Sequence, residues 1–280
     1  MRRRRNPDER HLLASVMLKI SIVVACISLW TLLAAGQIAI PGELDYEFVS
    51  QPGEQHDGTI EIANTTDEPV EVSISHVDYL FFADGTTSYP EPGSVERSNA
   101  SWISVYAPDQ LIIPARDTVA VNFRINTPND SSLRGTYWSM FLVAPVPSPV
   151  DAAAGSEGLG VNIVVRYGIQ IITHIGDTGE RKIQIMAADL TLNEEGTRLL
   201  LVDVENVGER WVRPEPWAEI FDETGSLVAR VDGARLRIYP GTSVRYRFDL
   251  PDLDPGPYKA LVVFDNGDEY VWGAQYNLEL

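Results

Sequence analysis

"GTIEIANTTDEPVEVSI", residues 58–74, and "GTRLLLVDVENVGERWVRPEPWAEI", residues 196–220, carry one pattern twice. Each opens on Gly-Thr, runs through alternating apolar residues to an asparagine (Asn64, Asn206), turns, and begins a second apolar run after a proline. The echo continues. "LIIPARDTVAVNFRINTP" (111–128) answers to "LRIYPGTSVRYRFDLPD" (236–252), and "LRGTYWSMFLVAP" (133–145) to "LDPGPYKALVVFDN" (253–266). Period-two alternation in short runs rich in Val, Ile, Thr and aromatics is the mark of half-buried β-strands. Asn64 and Asn206 are expected to turn the chain, because asparagine tolerates left-handed backbone and bonds its own chain locally. Tyr137 and Tyr258 follow glycine turns, and each is expected to pack its ring inward with its hydroxyl on a nearby loop.

Past Gly36 no long stretch has helical period, and turn signals such as "NTTDEP", "ADGT", "DPGP" and "DNGD" separate the runs. The fold class is therefore all-β. Two related, seven-strand, immunoglobulin-like β-sandwich domains are expected, at 37–175 and 176–280, with "THIGDTGE" (173–180) as the link.

"GVNIVVRYGIQIITHI" (160–175) closes the first domain. Val161, Ile163, Val165, Tyr167, Ile169 and Ile171 form an apolar row on one face; Asn162, Val164, Arg166, Gly168, Gln170 and Ile172 form a mixed one. Either the row fills this chain's own core or it is lent to another protein. The preceding segment, "APVPSPVDAAAGSEGLG", is rich in Pro, Ala and Gly and is expected to be a mobile loop.

The N-terminus has the layout of an export signal: arginines in "MRRRRNPDERH", then the apolar "LLASVMLKISIVVACISLWTLLAAG". Ala34 and Gly36 suit a small-residue cleavage site that leaves Gln37 first. Leu12 to Gly36 is equally long enough to anchor the chain in the inner membrane uncut. Cys26, the one cysteine, lies inside this run, so the exported part forms no internal disulfide.

The net charge is −18 over 280 residues. Of 22 basic and 40 acidic residues, six and two fall within the first 36, which leaves the remainder at net −22. So acidic a body repels phosphate backbones, and no nucleic-acid partner is expected. His56, His76 and His174 are widely spaced, and no nucleophile, zinc or phosphate-loop motif is present. "FDNGDEY" (264–270) reads as a two-residue Asn-Gly hairpin rather than a calcium loop. Trp102, Trp138, Trp211, Trp217 and Trp272 suit sandwich cores better than a sugar-stacking platform. Neither enzyme activity, nor a metal, nor a cofactor is expected.

An export signal, two immunoglobulin-like domains and a long loop feeding an apolar last strand together resemble the periplasmic pilus-assembly chaperones. The resemblance implies a partner: a secreted, β-rich subunit that lacks a strand and is completed by the chaperone's own. It places Val161, Ile163, Val165, Arg166 and Tyr167 against that subunit, with Ile169 and Ile171 buried at home. In that family an arginine on the first strand and a lysine on the last hold the subunit's terminal carboxylate. Here the first strand, "LDYEFVS", carries Asp45 and Glu47, and Gln170 stands at the other position, with Arg166 the nearest cation. A carboxylate is expected to be repelled there. The first half, in "FVSQPGEQHDGTIEIANTTDEPVEVSI", is also similar to WxL-interacting surface proteins. That likeness implies the alternative of a membrane-held adhesion or scaffolding module of the cell envelope.

Overall fold

The structure is a computed structural model that describes residues 37–108, 110–147 and 164–280. The signal or anchor segment, together with Val161, Ile163 and most of the Pro/Ala/Gly-rich stretch, lies outside the described residues. Among the described residues no helix is long and apolar enough to cross a membrane.

The fold is all-β, two sandwiches in tandem. In the first, β1 (Ile38–Ala39), β3 (Gln55–Asn64), β9 (Thr118–Asn126) and β7 (Ile103–Val105) form one sheet in the order β1-β3-β9-β7. The facing sheet joins β2 (Asp45–Ser50), β11 (Tyr167–Ile175), β10 (Gly135–Pro145), β4 (Val70–Val77) and β8 (Gln110–Ile113) in the order β2-β11-β10-β4-β8. A small hairpin, β5 (Leu80–Phe81) with β6 (Thr87–Ser88), stands apart. The second sandwich pairs β12 (Ile183–Leu192), β13 (Arg198–Asn206) and β16 (Ser243–Asp249) against β15 (Leu227–Asp232), β14 (Glu215–Phe221), β17 (Pro257–Asp265) and β18 (Val271–Glu279).

The echo in the sequence is an echo in topology. β3 pairs with β9 as β13 pairs with β16, and β4, β10 and β11 lie together as β14, β17 and β18 do. Among the described residues the second sandwich has the expected seven strands and the first has nine in its two sheets; β1, β7 and β8 are short edge strands without the long alternation that marks a strand in sequence. Alternate residues fill each core. Ile60, Ile62, Phe123 and Ile125 meet Val72, Phe141, Val143, Ile169 and Ile171 in the first; Leu200, Val202 and Phe248 meet Ile220, Val262 and Phe264 in the second.

Asn64 and Asn206 hold equivalent places, and of the two means expected the local bonding applies: Asn64 Oδ1 accepts from Thr66 N–H and Asn206 Oδ1 from Gly208 N–H. Arg116 is the one non-glycine residue with left-handed backbone among those described, so neither asparagine turns the chain that way. Each is buried and acts as a side-chain clamp instead. Asn64 Nδ2 donates to the carbonyls of Glu68 and Ile113, and Asn206 Nδ2 to those of Arg210 and Ile238. In both, the amide ties its own turn to the segment entering the proline-started strand, which satisfies carbonyls that the sheets leave open.

Other expectations are adjusted in detail. Thr173, His174 and Ile175 belong to β11, so the link is 176–182. The Asn266–Gly267 turn makes a hairpin with a five-residue loop, 266–270, because Asp265 and Asp268 cap its backbone N–H groups and extend it. Tyr258 donates to the Asp254 carbonyl as expected, whereas Tyr137 packs on Trp102 under the guanidinium of Arg97. The tryptophans disperse: Trp102 against the first core, Trp272 against the second, Trp138 and Trp211 between the sandwiches, Trp217 beneath Arg230.

The two sandwiches meet over a third apolar cluster. Trp138, Ile172 and Tyr239 are buried there, and Tyr79, Phe81 and Trp211 pack around them. Trp138 and Tyr239 stack with centroids 4.5 Å apart and planes 9° from parallel. The β5–β6 hairpin reaches across from the first sandwich: Ala83 N–H donates to Ser243 Oγ at 3.0 Å. At Gly135 (φ +78°) the backbones approach so closely that an added Cβ would overlap the Glu209 carbonyl, and Thr136 N–H donates to that carbonyl at 2.9 Å.

Candidate functional site

β11 uses both of its faces, as period two requires. Ile169 and Ile171 point into the first core with no exposure. Gln170, Ile172 and His174, on the opposite face, meet the second sandwich: Tyr239 Oη donates to Gln170 Oε1 at 2.6 Å, Ile172 joins the Trp138 cluster, and His174 stacks on Trp211 at 5.7 Å. The mixed composition of that face is thus an interface composition.

The two edges of β11 differ in extent. β10 pairs with it from Val143↔Tyr167 to Gly135↔Ile175. β2 runs parallel on the other side but pairs only from Asp45↔Gln170 to Ser50↔Ile175. N-terminal of Gln170, over Tyr167–Ile169, no strand pairs with that edge among the described residues. Gln170 N–H points outward, to the Leu44 carbonyl at 2.8 Å. By alternation the N–H groups of Gly168 and Arg166 point toward the uncovered edge.

Of the residues expected to face a partner, Val165, Arg166 and Tyr167 fall on this edge or just before it. Val164 is 45% exposed, Val165 half-buried and Arg166 exposed. The ring of Tyr167 packs against the first core and its hydroxyl donates to the Ile38 carbonyl at 3.1 Å. Val161 and Ile163 lie outside the described residues.

The acidic pair on β2 is not left to repel. Arg237, from the second sandwich, places Nη1 2.7 Å from Asp45 Oδ2 and Nη2 against Glu47 Oε1, and lies 4.7 Å over the ring of Trp211. The cation absent from the first strand is supplied across the domain boundary. Glu47 also faces His174 Nε2 at 3.4 Å. The Glu47 carboxylate can only accept, so His174 Nε2 donates to it; in the neutral ring Nδ1 then accepts from Thr136 Oγ1, whose oxygen accepts the backbone N–H of Trp211. The His174 hydrogen bond first, and the charge of Arg237 after it, hold the Glu47 carboxyl below its ordinary value. Asp45 and Arg237 also line a cleft of about 440 Å³ between the sandwiches, with Tyr79, Phe81, Gln170 and Tyr239.

Arg237 and Tyr239 escape a sequence reading because the acids that Arg237 pairs with, and the Gln170 that Tyr239 bonds, are over 65 residues away. The available signal was Asp45 and Glu47 themselves, two acids on one strand face that require a cation.

No family model and no curated protein matches the chain. Among solved structures, the class 5 fimbriae chaperone CfaA is similar at 12% identity, with 87% of this chain and 100% of that one covered and a TM-score of 0.44. A chain from the chaperone–tip adhesin complex of CFA/I fimbriae gives 12% identity, 86% and 97% coverage and a TM-score of 0.45. One from the CsuC–CsuE chaperone–tip adhesion subunit complex of Acinetobacter baumannii gives 14%, 87% and 98%, and 0.40.

Proposed function

We propose that this chain is an exported, non-catalytic, chaperone-like protein that captures a secreted β-rich subunit by strand addition along residues 161–171. In this reading Val161, Ile163, Val165, Arg166 and Tyr167 line the contact, and the protein works in the periplasm or cell envelope after residues 1–36 direct its export. Residues 37–175 form the capturing domain and 176–280 the domain that braces it.

One observation carries the proposal: β2 stops pairing at Gln170, so among the described residues no strand covers that edge of β11 before this point, next to exposed Val164 and Arg166. An uncovered edge is a template for another chain, with backbone hydrogen bonds for affinity and alternate side chains for specificity. The sequence supports the same reading through the apolar row that continues N-terminally to Val161.

The test is removal of one outward N–H. Arg166→Pro deletes a donor that serves no hydrogen bond among the described residues, a substitution edge strands tolerate. Co-purification from the envelope is expected to lose the captured subunit while the variant's thermal midpoint stays unchanged. Full capture by Arg166→Pro, and by a companion Val165→Asp, would overturn strand addition.

A further inference from the structure

Beyond the strand edge, the second sandwich carries a concentration of positive charge that strand capture does not use. A concavity of about 300 Å³ is lined by four arginines (Arg181, Arg210, Arg213 and Arg235), Trp211, Asn266 and one carboxylate, Asp268. Three of the four guanidiniums are fixed in place. Arg181 bonds Asp177 at 3.0 Å and lies 3.4 Å from Asp268; Arg210 donates to the carbonyls of Gly176 and Thr178; Arg235 bonds Glu215 at 2.9 Å. Arg213 is different: its guanidinium is exposed and makes no hydrogen bond or ion pair among the described residues, while only its backbone is engaged.

We propose that this concavity binds a phosphate-class oxyanion, with Arg213 as the principal donor and Arg181 and Arg235 as the preorganised field around it. Guanidinium forks match tetrahedral oxyanions, and their unused N–H groups gain most where neighbouring cations are already held still. Asp177 is shared by Arg181 and Arg210, and Glu215 holds Arg235, so the charge of Arg213 is the one in the concavity without an ion pair among the described residues. An oxyanion placed here gains a full ion pair from Arg213 and hydrogen bonds from its neighbours. One such concavity accommodates a single phosphate and offers no track for a polyphosphate backbone, so it agrees with the acidity of the rest of the chain. The phosphate group can be free in solution or belong to an anionic lipid headgroup.

The experiment is titration of the exported chain with inorganic phosphate at low ionic strength, followed by calorimetry, for the wild type, Arg213→Gln and a control, Arg247→Gln. Arg247 pairs with Asp249 on β16, away from the concavity. Saturable binding is expected, weakened about tenfold or more by Arg213→Gln, as for loss of a charge-assisted hydrogen bond, and unchanged by Arg247→Gln. Sedimentation with phosphatidylglycerol against phosphatidylcholine vesicles separates the sources. Arg213-dependent pelleting that phosphate competes away identifies the headgroup; phosphate binding without pelleting identifies the free ion. Absence of saturable binding, indifference to Arg213→Gln, or acetate binding as tightly as phosphate would overturn the proposal. An unchanged circular dichroism spectrum and a cooperative thermal transition for Arg213→Gln exclude misfolding as the cause of lost binding; a small fall in midpoint is expected, because the Arg213 charge also acts on Glu47.

Discussion

Arg237 of the second sandwich places its guanidinium 2.7 Å from the carboxylate of Asp45 on the first. With Glu47 and Trp211 it completes a contact across the boundary whose arginine is only 14% exposed. Removing one member of a shielded ion pair leaves the other charge unpaired, which costs more than an exposed pair contributes. Arg237→Ala is therefore expected to destabilise the chain by about 1–3 kcal/mol in urea titration. Asp45→Asn should cost less, because Glu47 still holds the arginine. A loss no larger than that of the exposed Arg247→Ala would mean that the contact contributes nothing.

Ile171 and Val165 lie on one strand path with opposite fates. Ile171 is wholly buried in the first core, so Ile171→Ala is expected to cost about 2–5 kcal/mol. Val165 is half-buried beyond the last paired residue, and Val165→Ala should change stability by less than about 1 kcal/mol. Partner capture should reverse the order. Equal stability losses from the two would make the whole row core and remove the strand-addition reading.

The Asn64 and Asn206 clamps are each replaceable by a single isosteric change. Asn206→Asp keeps the acceptor to Gly208 N–H but turns a donor into a carboxylate oxygen facing the carbonyls of Arg210 and Ile238. A buried charge against unpaired acceptors is costly, and a loss of roughly 3 kcal/mol or more is expected. Asn206→Ala, which leaves the carbonyls unpaired without adding charge, should cost less. Thermal unfolding of both variants checks the order.

His76 provides a pH signature. Burial pushes its imidazole from 6.5 down to about 4, with Asp78 opposing, while Nε2 bonds Ser139 Oγ at 2.8 Å and the ring lies 4.4 Å from that of Phe141. The folded chain thus favours the neutral ring. Its stabilising contribution is complete above pH 6.5 and is lost as the pH falls toward 4. His76→Gln retains a donor for Ser139 but cannot titrate. Its stability should fall less between neutral and acid pH than the wild type's, by about 2 kcal/mol. Parallel urea curves across that range would refute the effect.

Alternation and repetition are local properties, and they were enough to determine the all-β class, the paired sandwiches and the inward direction of Ile169 and Ile171. Period two dictates which side chains share a face whatever the face meets. The same locality explains where the reading stopped. Ile172 belongs to the polar-looking face of its strand, and nothing within that strand tells that Trp138 and Tyr239 will cover it. Asp45 and Glu47 read as a repulsive pair because Arg237, about 190 residues on, becomes their neighbour only once the second sandwich has docked. Asn64 and Asn206 are legible as turning points that bond their own chain, but the sequence does not show that their buried amides also reach the carbonyls of Ile113 and Ile238. Composition along a strand decides what is apolar; only the packing of one sandwich on the other decides which charges meet, which edge of β11 is covered and which is left open.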